Sequence, residues 1–262
     1  MTIYIFSIIA VLILGILVGS FLNTVIFRSP KKNSSVRGRS YCPKCKEQLK
    51  AKDLIPIFSW ILLRGKCRYC QQKISTQYLL IELVTGLIFV GSFIYVIQDT
   101  AFPTLADPTF LKLVLLWVIS SFLIVIFSVD LRTGLILNRT LIYLTPFVLA
   151  WAVVNNGAEG LLSSLIGMLV AGILFWILVI VSGEKWMGAG DAKFALLIGF
   201  LVGWPIVMVL LALAFIGGAI IGLIMMSSGK ANRKTALPFG TFLAAATWIA
   251  IIYGDKIANY FF

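Results

Sequence analysis

Histidine is missing from this sequence altogether, and charged residues fill only 12% of its 262 positions. The first absence excludes Ser-His hydrolysis, His-Glu-x-x-His metallopeptidases and any imidazole general base. The second excludes an ordinary soluble domain, whose surface needs about twice that share of charge. Cysteine is scarce as well, with four residues, all between positions 42 and 70. What abounds is hydrocarbon: 60% of the residues are hydrophobic and the mean hydropathy is +1.03. Apolar runs recur along the chain, most of them near the length that crosses a core of roughly 30 Å as a helix. The sequence therefore predicts an all-α, polytopic membrane protein.

Eight spans are expected, at about 3–27, 78–97, 110–129, 139–154, 160–182, 192–203, 206–226 and 237–253. The first run has no Lys or Arg before it and exceeds the apolar region of a secretory signal, so it reads as a retained helix. Arg28 follows at once, which places the N-terminus outside and the next segment in the cytoplasm. Threading the remaining spans puts twenty of the twenty-two Lys and Arg in or beside cytoplasmic loops; Lys112 and Lys256 are the exceptions. The net charge of +12 is thus mostly topological. A basic inner face suits anionic membrane lipids, so no nucleic acid is needed to explain it. The expected organisation is a first transmembrane helix (1–27), a cytoplasmic insert (28–77) and a helical bundle (78–262). The 192–203 run is the weakest span, rising only about 18 Å.

The insert holds Cys42, Cys45, Cys67 and Cys70 in a C-x2-C-x21-C-x2-C pattern. Two such knuckles resemble a zinc ribbon, in which four thiolates close a tetrahedral site. Two disulfides are the alternative, but the topology places these thiols in a reducing compartment. Four soft ligands with no open position suit structural zinc, which an insert this small needs to hold a fold.

With histidine absent, carboxylates carry the available chemistry. Most of the ten Asp and Glu have ordinary settings: Glu47, Asp53, Asp99, Asp107 and Glu159 in loops, and Asp255 near the C-terminus. Glu184 has only Lys185 beside it and reads as a solvated helix-end charge. Asp130 ends one apolar run and Asp191 begins another, and span parity puts both at the cytoplasmic edge. Two carboxylates brought together at a desolvated boundary do not ionise together readily; one keeps a proton while the other acts as base, as in aspartic proteases. The plain alternative is that each is a helix-end charge satisfied by water. Gly188 and Gly190, just before Asp191, leave room for the close approach of an extended peptide. Gly15, Gly19 and Asn23 recur on one face of the first helix, suited to close helix packing or a polar contact, and Gly218 and Gly222 invite the same reading.

"GAGDAK" (Gly188 to Lys193) resembles the Gly-x-Gly-Asp-x-Lys signature of the type IV prepilin peptidases. "GSFLNTVIFRSP" (Gly19 to Pro30), "DLIPIFSWILLRGKCRYC" (Asp53 to Cys70), "IELVTG" (Ile81 to Gly86) and "LPFGTFLA" (Leu237 to Ala244) resemble that family in the same order. The resemblance implies that Asp130 and Asp191 are the catalytic pair, that Gly188, Gly190 and Lys193 belong to the motif, and that the four cysteines belong to a cytoplasmic domain associated with methylation. It implies a membrane endopeptidase of the bacterial inner membrane acting on type IV prepilin, pseudopilin or competence pilin precursors. Cleavage would follow a glycine at the cytoplasmic junction, and S-adenosylmethionine would then methylate the new amine. Glu82 is a candidate for assisting methylation; its alternative is a carboxylate paired with a basic residue of the insert. One departure stands out. The family usually follows its first aspartate with Ile-Pro-Asp, whereas this chain has Ile136-Leu137-Asn138, which favours a more regularly helical segment after Asp130. Peptidase activity alone is a narrower reading. A transporter or channel with a docking ribbon is the reading from another class, set apart by the mid-membrane carboxylates that an ion path needs.

Overall fold

The computed structural model describes residues 2–28, 40–97, 107–157, 160–229 and 237–261. Long apolar runs can satisfy their backbone groups in lipid only as helices, and helices follow the runs closely. In chain order they are α1 (Thr2–Arg28), the short α2 (Phe58–Leu62), α3 (Gln77–Ile97), α4 (Pro108–Thr133), α5 (Asn138–Asn156), α6 (Leu161–Ser182), α7 (Ala189–Val202), α8 (Ile206–Ser227) and α9 (Phe239–Phe261). Each of the eight expected spans corresponds to a helix. Six of them, α1, α3, α4, α6, α8 and α9, are long and apolar enough to cross a membrane. The other two are α5, with 19 residues, and α7, with only 14. Seven expected cytoplasmic basic residues (Lys31, Lys32, Arg37, Arg39, Lys230, Arg233 and Lys234) and the loop acids Asp99 and Glu159 lie outside the described residues.

The chain forms two compact units, Met1–Ala101 and Phe102–Phe262. In the first, α1 lies against α3 along a seam of small residues. A Cβ on Gly15 would come within 2.8 Å of Gly86 Cα, and one on Gly19 within 2.8 Å of Glu82 Cα, so both backbones approach too closely for any side chain. Asn23 adds the polar contact, its Nδ2 donating to Tyr78 O at 3.0 Å, while Phe27 stacks on the Tyr78 ring at 4.5 Å. The close packing and the polar contact expected of this face both occur.

The second unit contains α4 to α9. Here α7 is the inner helix: Ala192, Phe194, Ala195 and Ile198 are fully buried, and Leu201 is nearly so. A helix enclosed by protein on most sides is freed from matching lipid thickness, which accounts for a rise of only about 21 Å. It meets α6 at Gly167 and Gly199, each of which leaves room for the other's carbonyl. Gly218 of α8 faces Phe239 and Phe242 at ordinary contact distance, and Gly222 faces Leu237. After α4 the chain is not more regularly helical, contrary to the expectation from the missing proline. Gly134 stops α4 in the left-handed conformation at φ 63°, its N–H donating to Asp130 O, and Leu137 is extended before α5 begins.

Candidate functional site

Three helix ends of the second unit converge on one polar spot. Asp130 lies in the last turn of α4, Asp191 in the first turn of α7, and between them comes the first turn of α9. The Asp130 side chain is buried, and its Oδ2 accepts two hydrogen bonds from Thr241, one from the backbone N–H at 2.7 Å and one from Oγ1 at 3.0 Å. Asp191 Oδ2 accepts from the Gly188 N–H at 3.2 Å, half of a helix capping arrangement. The neighbouring residue of α9, Gly240, lies beside Asp130 Oδ2 and Ile136. The Thr241 amide that serves Asp130 is a donor of the kind a helix N-terminus leaves unsatisfied. The second oxygen of Asp191, Oδ1, is buried with no hydrogen-bond partner among the described residues. A buried polar oxygen of that kind calls for a proton, a water or a substrate group.

Ile136 fills the space beside this pair. A Cβ on Gly240 would press on Ile136 Cδ1 and lie 3.0 Å from Asp130 Oδ2, and a Cβ on Gly190 would lie 3.3 Å from Ile136 Cβ. The room at Gly190 therefore goes to Ile136. At Gly188 the nearest atom a side chain would meet is Asp191 Oδ2 at 3.6 Å, leaving this side open. Lys193 is exposed, and its Nζ donates to Asn138 Oδ1 at 3.3 Å, so the motif lysine meets one of the departing residues.

The first unit brings the cysteines together. All four Sγ atoms lie within 4.8 Å of one another, with Cys42 and Cys70 at 3.8 Å, and none is in a disulfide. The two knuckles repeat one hydrogen-bond pattern. Cys42 N–H donates to Glu47 O and Lys46 N–H to Cys42 O, and in the second knuckle Cys67 N–H donates to Gln72 O and Gln71 N–H to Cys67 O. Lys46 and Gln71 occupy matching left-handed positions, at φ 60° and 58°. Such turns aim amides at the sulfurs. Burial pushes the Cys42 thiol up, but hydrogen bonds from the Cys45 and Lys44 backbone outweigh it and bring it down to about 7. Asp53 ties the preceding turn to the second knuckle, accepting from Arg68 Nε at 2.6 Å, Tyr69 OH at 3.0 Å and Lys50 N–H at 3.1 Å.

Glu82 is buried in the first unit and pairs with the insert through a backbone amide rather than a basic side chain: its Oε2 accepts from Ile57 N–H at 2.7 Å.

Gly240 and Thr241 carry no role in the sequence reading. Their motif was visible as part of "LPFGTFLA", but glycine and threonine have no titratable group to draw attention, and the Thr241–Asp130 bond joins residues 111 positions apart.

Comparison with known proteins follows the same division. Residues 13–96 match the bacterial peptidase A24 N-terminal domain, and residues 117–223 match the type IV leader peptidase family. A prepilin leader peptidase/N-methyltransferase of Stutzerimonas stutzeri is 31% identical, covering 94% of this chain and 90% of the relative. Proteins of the same name from Aeromonas hydrophila, 30% identical with coverage of 96% and 92%, and from Bacillus subtilis (strain 168), 31% identical with coverage of 95% of each, are similar over the same extent. No solved structure matches. With nearly the full length aligned at this identity, and with both of its domains recognised, the chain belongs to the type IV leader peptidase family.

Proposed function

We propose that this protein is a membrane aspartic endopeptidase that removes the leader of type IV prepilin-like precursors and then methylates the new N-terminus. The observation that carries the peptidase reading is that the α4 end bearing Asp130 and the α7 start bearing Asp191 meet at Ile136 and the first turn of α9. One carboxylate deprotonates a water that attacks the scissile carbonyl, the protonated partner hydrogen-bonds the developing oxyanion, and the roles reverse to protonate the leaving amine. Asp130 Oδ2 is engaged by Thr241, so Asp130 exchanges its proton through Oδ1. Asp191 Oδ1, buried and without a partner, is the oxygen of that residue turned to the chemistry. An ion path would place its acids at mid-helix, whereas both of these lie in terminal turns.

The N-terminus lies outside, and the pair lies at the cytoplasmic face of the bacterial inner membrane, where a precursor's polar leader meets its apolar helix; the asymmetry of basic residues supports this orientation. Prepilins, pseudopilins and competence pilins share that junction, and cleavage follows a glycine there. Lys193 and Gly188 border its approach. The cysteine cluster takes zinc. Zinc–sulfur bonds of about 2.3 Å in a tetrahedron separate the sulfurs by about 3.8 Å, which the Cys42–Cys70 spacing matches. Cys42, Cys45, Cys67 and Cys70 would hold the ion, which would brace the two knuckles and leave no position for catalysis.

S-adenosylmethionine supplies an electrophilic methyl group for the second reaction, which the names of the relatives support. Glu82 is committed to the Ile57 amide, which fits an anchor for the insert and not a free base, so no step of methyl transfer is assigned to it.

Incubating the detergent-purified protein with a prepilin and S-adenosylmethionine, followed by mass spectrometry, tests both reactions. Asp130→Asn and Asp191→Asn should each abolish leader removal, and wild type should yield methylated product. Cleavage surviving both substitutions overturns the pair, and cleaved but unmethylated product overturns the second activity.

A further inference from the structure

The insert carries an apolar surface that its cysteine cluster does not use. Leu54, Ile55, Phe58, Ile61 and Leu62 are all exposed, Phe58 by 67% and Leu62 by 79%, although they sit in a basic, polar segment. Leaving such side chains in water is unfavourable relative to burial. They surround a strained reversal. Ile57 has φ 63° and ψ −57°, and Phe58 N–H donates to Pro56 O at 2.6 Å, a left-handed γ-turn unfavourable for a β-branched residue. The strain is held in place by the Glu82 carboxylate on Ile57 N–H.

That bond sets a depth. α3 has 21 residues and rises about 31 Å, the thickness of a hydrocarbon core, so its Gln77 end marks the membrane boundary. Glu82 lies five residues further, roughly 7.5 Å inside, and its side chain leans back toward the helix N-terminus. The Ile57 amide is therefore held close to the boundary. Leu80, Leu83 and Val84 of α3 are exposed at the same turns, continuing a lipid-facing surface past this point. Lys50, Lys52, Arg64 and Lys66 flank the apolar group in sequence and are exposed or partly so.

We propose that residues 54–62 form an interfacial anchor that rests in the bilayer, with the five apolar side chains at the boundary of head groups and acyl chains and the flanking bases on anionic head groups. Glu82 fixes its height. The proposal does not rest on the peptidase reading.

Photocrosslinking of the full protein tests it. The protein would be made with Leu62→p-benzoylphenylalanine, Phe58→p-benzoylphenylalanine or Lys46→p-benzoylphenylalanine and reconstituted into phosphatidylethanolamine–phosphatidylglycerol vesicles. Mass spectrometry after illumination should find at least about ten-fold more lipid adduct at positions 58 and 62 than at 46, as immersion of only this segment requires. Crosslinks from 58 and 62 to other peptides of the chain, or lipid adducts no more abundant than at 46, would overturn the anchor.

Discussion

Thr241 holds Asp130 with two donors, and only one of them belongs to its side chain. Thr241→Val keeps the shape and the backbone N–H but removes the hydroxyl, so kcat for leader removal should fall about ten-fold at an unchanged KM, as loss of a hydrogen bond to a charged group predicts. Thr241→Ser should restore most of it. An effect confined to KM, or a serine variant as poor as the valine, would show that Thr241 does not act through Asp130. Gly240 makes a sharper case. Its α-hydrogen occupies the place where a methyl group would meet both Ile136 and Asp130. Gly240→Ala should lower cleavage on the order of a hundred-fold by displacing the carboxylate, and adding Ile136→Val should recover part of it. Two losses that simply multiply would exclude the steric explanation.

At the scale of elements, the insert is stapled twice, by its cysteines and by Asp53. Burial pushes the Asp53 carboxyl up, but Arg68, the Lys50 amide and Tyr69 outweigh it and hold it below the usual carboxylate range. A group lowered on folding contributes stability that is present above its unfolded pKa and lost as the pH falls through the folded one. Arg68 is 40% exposed, so the ion pair is screened and Asp53→Asn should cost about 1 kcal/mol at neutral pH. Hydrogen exchange of peptides covering 50–69, compared between variant and wild type at matched pH, should show that difference at pH 7. It should narrow as the pH drops below about 3.9. A difference that widened in acid would contradict the sign. The proposed zinc site is tested at the same scale: Cys42→Ser should reduce bound zinc and raise exchange across 40–74, and unchanged zinc content would remove the cluster from metal binding.

Across the whole molecule, the helices were legible because each apolar run is long and lipid allows few alternatives to a helix. The pairing of Asp130 with Asp191 was legible from span parity, since two helix ends on one side of a bundle can meet. The contribution of α9 was not. The amide it aims at Asp130 is a group that every residue but proline possesses, and its direction exists only after α4 and α9 have packed. The stop after Asp130 is not carried by the missing proline: Gly134 performs the termination. For Glu82 the sequence offers a methylation role or a basic partner in the insert, yet its partner is again a backbone N–H. The two compact units make one further expectation concrete. Chelating the zinc proposed for the cysteine cluster should raise exchange in 40–74 and leave the first turn of α9, residues 239–244, protected; exchange rising equally in both would mean the units unfold as one.

Ile136 bears no charge, donates no hydrogen bond from its side chain, and stands between the glycines of two helix starts. It is a spacer whose thickness is measured in methyl groups. Trimming it tunes the gap between α7, which carries Asp191, and the α9 turn that holds Asp130, while the acids themselves stay the same, so position 136 is a mechanical dial on a chemical pair.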